Sequence, residues 1–294
     1  MGLARQTFPA DKWELLLVDN GSQPAIQPDF EALSGSGISC RIVRESRLGL
    51  SLARLAGFHE AIGKLIVMLD DDNVPSSNYL EIAHEFAGRH PGVGTFGGKS
   101  LPTYATPAPT WFDDTGITLG CRDLGEQEIL VSAPASGQLE EYPPASPIGA
   151  GMVLRSQVAI QYIQETSKRD PRSAITDRSG NTLSSGGDCD IVMVALKNGW
   201  DTAYVPSLEL DHHISAPRLT LGYLQRMAHD SNRSWVNVLD IHGMRPWPSI
   251  PPWSLPIRKA RAWLRQKPWQ GEVQSIRWHA VKGRLRGQAD LQPS

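Results

Sequence analysis

Apolar and polar positions alternate along this chain with two different periods, and the changes of period mark out its elements. Residues 13–18 (WELLLV) form an almost unbroken apolar run, which predicts a buried strand, and the Asp-Asn-Gly-Ser that follows ends it in a turn. A second short strand is expected over residues 38–43. Leu50, Ala53, Arg54, Gly57 and Ala61 fall at helical spacing, and residues 64–69 (KLIVML) read as another buried strand that runs into Asp70, Asp71, Asp72 and Asn73. Strand, helix and strand in so short a span predict a βαβ unit and therefore a parallel sheet in an α/β fold.

Ser76 or Ser77 is placed to cap a helix running through Phe86, and residues 92–96 suit a further strand. Residues 98–146, rich in Pro, Gly and Thr without a sustained period, are expected to form a long excursion over the sheet. A strand is expected at 148–154, then a helix near 157–165. Residues 167–187 are polar throughout and predict a loop that is mobile or ordered by ligand. Asp188 opens a helix with Ile191, Val194 and Ala195 inside and Gly199 closing it. Short strands at 203–205 and 208–210 lead to Asp211, His212 and His213.

The near-neutral balance of 29 basic and 31 acidic side chains hides an asymmetry. Residues 258–286 carry nine Lys or Arg against the single acid Glu272, and five of the nine tryptophans (Trp247, Trp253, Trp263, Trp269, Trp278) lie in or just before this stretch. Basic charge mixed with amphipathic rings suits an anionic membrane surface, so residues 253–294 are a candidate for one; the alternative is helices that bury the tryptophans and turn the arginines outward. No nucleic-acid fold is recognisable, and no nucleic-acid partner is expected. The division expected is a domain over 1–240 and a basic, Trp/Pro-rich extension over 241–294. Three widely spaced cysteines, Cys40, Cys121 and Cys189, disfavour a disulfide framework or zinc site and point to the cytoplasm, where the basic extension would allow a peripheral position on the inner face of the membrane.

Several residues carry candidate chemistry. In an extended segment Asp70 and Asp72 would share one side and could reach one divalent ion, Mg²⁺ or Mn²⁺; a solvated acidic turn explains the triplet equally well. Asp188, at a helix N-terminus, is either a proton acceptor or an N-cap, and Asp190 is its rival. His212 or His213 could complete a metal shell. Asp19 could accept from a nucleobase or close an Asx-turn, and Arg54 could pair with a ligand anion or with the acidic triplet.

The order of these pieces resembles the inverting family 2 glycosyltransferases of the GT-A fold. The matching text is WELLLVDNGS (13–22), ESRLGLSLARLAGFHEAIGKLIVMLDDDN (45–73), GAGMVLR (149–155), GGDCDIVMVALKNGW (186–200) and VPSLELDHH (205–213). The segment HISAPRL followed by Tyr223 and Leu224 is similar to bacterial members that build surface polysaccharides. The resemblance implies a GT-A-like, mainly parallel nucleotide-sugar-binding sheet flanked by helices. It implies metal-dependent transfer from a nucleotide-diphosphate sugar to a hydroxyl of a saccharide or lipid-linked acceptor. By position, Asp19 would hold the nucleobase and Arg54 would lie near the nucleotide. Asp70 and Asp71 would face metal and diphosphate, Asp72 with His213 or its neighbour His212 would hold the metal, and Asp188 would be the catalytic base.

Three departures stand out. Gly187 replaces the usual Glu before the base, Leu55 replaces the usual Asn after the helix arginine, and the chain starts inside the first helix, so the resemblance implies a missing first strand. Neighbouring strand edges would then lack partners. The competing functional classes are a non-catalytic binding module with the same sheet and a metal-dependent phosphohydrolase.

Overall fold

The structure, a computed structural model, describes residues 2–27, 37–169 and 182–291. The chain divides into two compact units. The first comprises Met1–Pro102, Gly120–Ile175 and Asp188–His213, and the second Thr103–Leu119, Thr176–Gly187 and Ile214–Ser294. Most of the polar stretch expected at 167–187 lies outside the described residues.

In the first unit, strands β1 (Glu14–Asp19) and β2 (Ser39–Arg44) pair in parallel from Glu14 opposite Ser39 to Asp19 opposite Arg44. Helix α1 (Leu50–Glu60) packs on β1, where Gly57 approaches Val18 closely. A larger sheet is ordered β3 (Leu65–Val67), β7 (Val153–Arg155), β5 (Val93–Tyr104), β8 (Asp201–Ile214), β4 (Asn73–Pro75), with β6 (Ile129–Val131) on β8. The strand pairs β3–β7, β5–β7, β4–β8 and β6–β8 are all antiparallel. The expectation of a mainly parallel sheet is therefore corrected. Its physical basis was the unit of β2, α1 and β3, but β2 and β3 belong to different sheets, so that crossover does not return to its own sheet. Among the described residues, β1 pairs only with β2 and β3 only with β7.

Two apolar layers cover the large sheet. Helix α2 (Tyr79–Arg89) buries Tyr79 and Phe86 with Phe96, Val205 and Leu208. Helices α3 (Ser156–Ser167) and α4 (Gly187–Lys197) bury Tyr162, Ile191 and Leu196 with Met152 and Leu154. The excursion expected at 98–146 is less irregular than its composition suggests, because β5 runs on to Tyr104 and β6 falls within it.

The second unit is built on α5 (Leu221–Ile241), α6 (Leu255–Gln266) and α7 (Glu272–Asp290). Helices α5 and α7 pack backbone to backbone. A Cβ on Gly283 would stand 1.9 Å from the His229 carbonyl oxygen, and one on Gly287 would stand 2.8 Å from Val236 Cβ. Helix α5 thus belongs to the same compact unit as the C-terminal helices α6 and α7. No described helix is long and apolar enough to cross a membrane.

Candidate active site

The acidic triplet lies in the connection between β3 and β4, and it is a turn, not an extended segment. The Asn73 N–H donates to the Asp70 carbonyl at 3.1 Å, and Asn73 Oδ1 accepts the Asp70 N–H at 3.1 Å. The period-two argument that put Asp70 and Asp72 on one side is thereby corrected, because a turn rotates successive side chains out of alternation. Asp70 and Asp71 are exposed and Asp72 is partly buried. Asp72 Oδ1 accepts from Asn73 Nδ2 at 3.0 Å, and its Oδ2 faces His212 Nε2 at 3.3 Å.

Strand β8 explains which histidine reaches the triplet. From Ser207 onward its residues alternate outward and inward, which buries Leu208, Leu210 and His212 and exposes His213. The imidazole beside Asp72 is therefore that of His212; His213 meets Asp72 through its backbone N–H, which donates to the Asp72 carbonyl at 2.8 Å. His212 Nδ1 lies 3.3 Å from the Gly120 carbonyl and 3.8 Å from Cys121 Sγ. Burial works against a charged imidazole here, but the hydrogen bonds and charge of Asp72 and Cys121 outweigh it and raise His212 to about 9. Among the described residues, no three His, Cys, Asp or Glu side chains form a ready-made metal cage. The Asp72 carboxylate nevertheless suits Mg²⁺ or Mn²⁺, hard ions that take oxygen ligands and leave several positions to water and phosphate oxygens.

Asp188 lies in the first turn of α4, where two backbone donors fix it. The Gly149 N–H donates to Oδ2 at 2.9 Å and the Cys189 N–H to Oδ1 at 2.9 Å. Arg54, on α1, fills the space beside the same glycine: its Nη2 lies 2.6 Å from where a Gly149 Cβ would stand, and Asp188 Cβ lies 3.6 Å from that point. The backbone then links this pair to the triplet. The Gly151 N–H donates to the Met68 carbonyl at 2.9 Å and the Met68 N–H to the Met152 carbonyl at 2.8 Å, two residues before Asp70. Tyr142 adjoins the group, and burial together with the neighbouring Cys189 and Asp188 holds its phenol protonated far above the usual range.

Asp190, the rival to Asp188 in the sequence, is committed to partners of its own. It is fully buried and held bidentately by Arg169, with contacts of 2.6 and 2.9 Å, and it also accepts from the Tyr162 hydroxyl at 3.1 Å. Asp19, buried at the end of β1, accepts from the Ser22 N–H at 2.9 Å and the Ile26 N–H at 3.2 Å. The hydrogen bonds from Ser22 first, then Ile26 and the charge of Arg44, hold its carboxyl below the ordinary range against the opposing effect of burial. The sequence allowed an Asx-turn onto Gly21; the carboxylate instead closes on the amides of Ser22 and Ile26, and each oxygen keeps a further lone pair. Asn20, which sequence reasoning passed over, ties this turn to the start of α1: its Nδ2 donates to the carbonyls of Glu45 and Arg47 and its Oδ1 accepts from the Gly49 N–H. The run Asp-Asn-Gly was its only signal.

Residues 2–117 match the family model described as glycosyl transferase family 2. That stretch is similar to family 2 glycosyl transferases. It contains Asp19, Arg54 and the acidic triplet, whereas Asp188 and His212 lie beyond it. The chain is 44% identical over 186 residues to the dolichol-phosphate mannosyltransferase of Saccharomyces cerevisiae, which covers 56% of this chain and 63% of that protein. It is 32% identical over 77 residues to the glycosyltransferase AglE of Haloferax volcanii, covering 26% of this chain and 25% of that one. The chain thus spans less than two thirds of the length of either relative. Among solved structures, the mannosyltransferase PcManGT of Pyrobaculum calidifontis, in complex with GDP-Man and Mn²⁺, aligns with a TM-score of 0.49 at 17% identity, covering 96% of this chain and 68% of that one.

Proposed function

We propose that this chain is a metal-dependent glycosyltransferase that moves a sugar, with inversion, from a nucleotide-diphosphate sugar to a hydroxyl of a saccharide or lipid-linked acceptor. The observation that carries the reading is the group around Gly149, where a fixed carboxylate and a guanidinium meet beside the strand that delivers the acidic triplet. The family 2 match over residues 2–117, which contains Arg54 and the acidic triplet, supports the same reading.

In this reading Asp188 takes the proton of the acceptor hydroxyl as that oxygen attacks the anomeric carbon. The bond from that carbon to the diphosphate oxygen breaks, and its electron pair leaves with the nucleoside diphosphate. The two amides on Asp188 hold its oxygens in one orientation, so the proton is received without rearrangement. Arg54 lies toward the nucleotide, Asp19 toward the nucleobase, and Asp70 and Asp71 toward metal and diphosphate. Asp72 would hold Mg²⁺ or Mn²⁺, with the imidazole of His212 completing the shell once it has given up its proton. When bound, such an ion offsets the negative charge that grows on the departing diphosphate.

The named activity of the yeast relative supports a lipid-linked acceptor, and the similarity of the HISAPRL segment supports a place in cell-surface polysaccharide synthesis. The three free cysteines and the basic region 253–294 support a cytoplasmic enzyme at the inner membrane surface. The test is release of nucleoside diphosphate from a panel of nucleotide sugars with Mn²⁺ or Mg²⁺ and a polyprenyl or saccharide acceptor, with the sugar traced in the product. Glycosylated acceptor supports transfer. Free sugar alone indicates a hydrolase, and no turnover together with no metal-dependent nucleotide binding indicates a non-catalytic module.

A further inference from the structure

Helix α6 has two opposite apolar faces, and a helix needs only one to pack. Its inward face carries Leu255, the one buried residue of the helix, with the half-buried Ala262 a further two turns along, and it rests on α7. About 170° around the axis from Leu255, at 100° per residue, Ile257, Ala260 and Leu264 form a second stripe, continued by Trp253 in the turn just before the helix. Trp253 is 76% exposed, Ile257 54% and Leu264 62%. At the end of the helix Trp263 and Trp269 add two exposed rings whose centroids lie 4.4 Å apart. Isolated exposed apolar residues are ordinary, but a continuous stripe with a tryptophan at each end marks a contact surface.

The flank of this stripe is cationic. Arg258, Arg261 and Arg265 line one side of it, with Lys259 and Lys267 nearby, and none of the five forms an ion pair among the described residues. Arg258 Nε donates to Ser254 Oγ at 3.1 Å, which holds the guanidinium along the helix. No Asp or Glu occurs anywhere in residues 242–271.

We infer that the outward face of α6, with Trp253, Ile257, Leu264, Trp263 and Trp269 inserted and Arg258, Arg261 and Arg265 at headgroup level, docks on an anionic lipid bilayer. An interfacial helix needs an apolar stripe to enter the acyl boundary, tryptophans for the interface itself and cations for acidic headgroups; α6 presents all three at its surface. A nucleic acid would engage the arginines and rings but offers nothing to Ile257 and Leu264. The contact belongs to α6, and the last helix α7, although also basic in sequence, is spent on packing with α5. This inference stands independently of the proposed sugar transfer, and its test requires no turnover.

The experiment uses the full chain with phosphatidylcholine vesicles, with and without phosphatidylglycerol, read by cosedimentation and by quenching of tryptophan fluorescence with brominated lipid. Binding is expected only with the anionic vesicles, is weakened by high salt, and is accompanied by bromolipid quenching. Replacing Arg258, Arg261 and Arg265 together by Gln should lower partitioning about a hundredfold, at roughly fivefold per charge. Ile257→Glu with Leu264→Glu should lower it at least about tenfold and abolish quenching, while circular dichroism stays unchanged, because both side chains are exposed. A basic control in α7, Arg286→Gln, should bind like the parent chain. Equal binding to neutral vesicles, absence of quenching, or binding that survives both sets of substitutions would overturn the inference. So would tight oligonucleotide binding without vesicle binding, or saturable self-association that removes the vesicle-bound fraction.

Discussion

The backbone N–H of Gly149 donates to Asp188 Oδ2 at 2.9 Å, while Arg54 Nη2 occupies the space 2.6 Å from where a side chain on Gly149 would begin. Absence of a side chain at 149 is therefore what lets a cation and a carboxylate share one turn. Gly149→Ala should push the guanidinium aside, and since that group is the end of a flexible side chain, the cost in stability is expected to be about 1 kcal/mol. The proposed transfer should suffer more, with kcat/KM for the nucleotide sugar falling at least about tenfold in steady-state assays. Unchanged kinetics would separate Arg54 from the nucleotide.

The two aspartates of α4 should respond in opposite ways. Asp190→Asn breaks a buried bidentate pair with Arg169 and is expected to cost about 3–5 kcal/mol, visible as a large fall in the denaturation midpoint. Asp188→Asn loses one backbone hydrogen bond at a half-buried position, a cost of about 1 kcal/mol. If Asp188→Asn unfolded the chain as readily as Asp190→Asn, its carboxylate would be structural.

His212 makes stability depend on pH in a defined direction. Its folded value of about 9 lies above the ordinary 6.5, so its interaction with Asp72 and Cys121 contributes fully below pH 6.5 and is lost as pH rises through 9. Unfolding by denaturant across that window should show declining stability, and His212→Gln should flatten the decline. A chain that gains stability from pH 6.5 to 9 would contradict the pairing.

Close packing of α5 on α7 predicts that Gly283→Val is severe, because its Cβ would meet the His229 carbonyl, which is backbone and cannot swing away. A loss of about 3 kcal/mol is expected. Hydrogen exchange should report it as reduced protection of amides in α5 and α7.

How far the sequence disclosed this structure depends on whether local pattern or distant pairing decided each feature. β1, β3, α1 and α4 were legible because an apolar run or a 3.6 period marks them directly. β8 was read as two short strands because it changes burial regime midway, buried on both sides through Pro206 and on one side after Ser207. Treated as one strand, its alternation would have selected His212 over His213. The sheet's antiparallel character was invisible because a strand, helix and strand pattern does not say which strand lies alongside. Asp70, Asp71 and Asp72 were found by composition, but their turn is set by the Asn73 side chain, and Asp190's partner Arg169 lies 21 residues away in a stretch that reads only as polar.

The central claim is that Asp188 is the proton acceptor of a metal-dependent sugar transfer. Its most direct test is acceptor glycosylation with the matched nucleotide sugar and Mn²⁺, comparing the parent chain with Asp188→Asn after both are shown to be folded. A fall in kcat of about 10²–10⁴-fold with donor binding retained is the expected result. Transfer by Asp188→Asn at the parental rate would contradict the account.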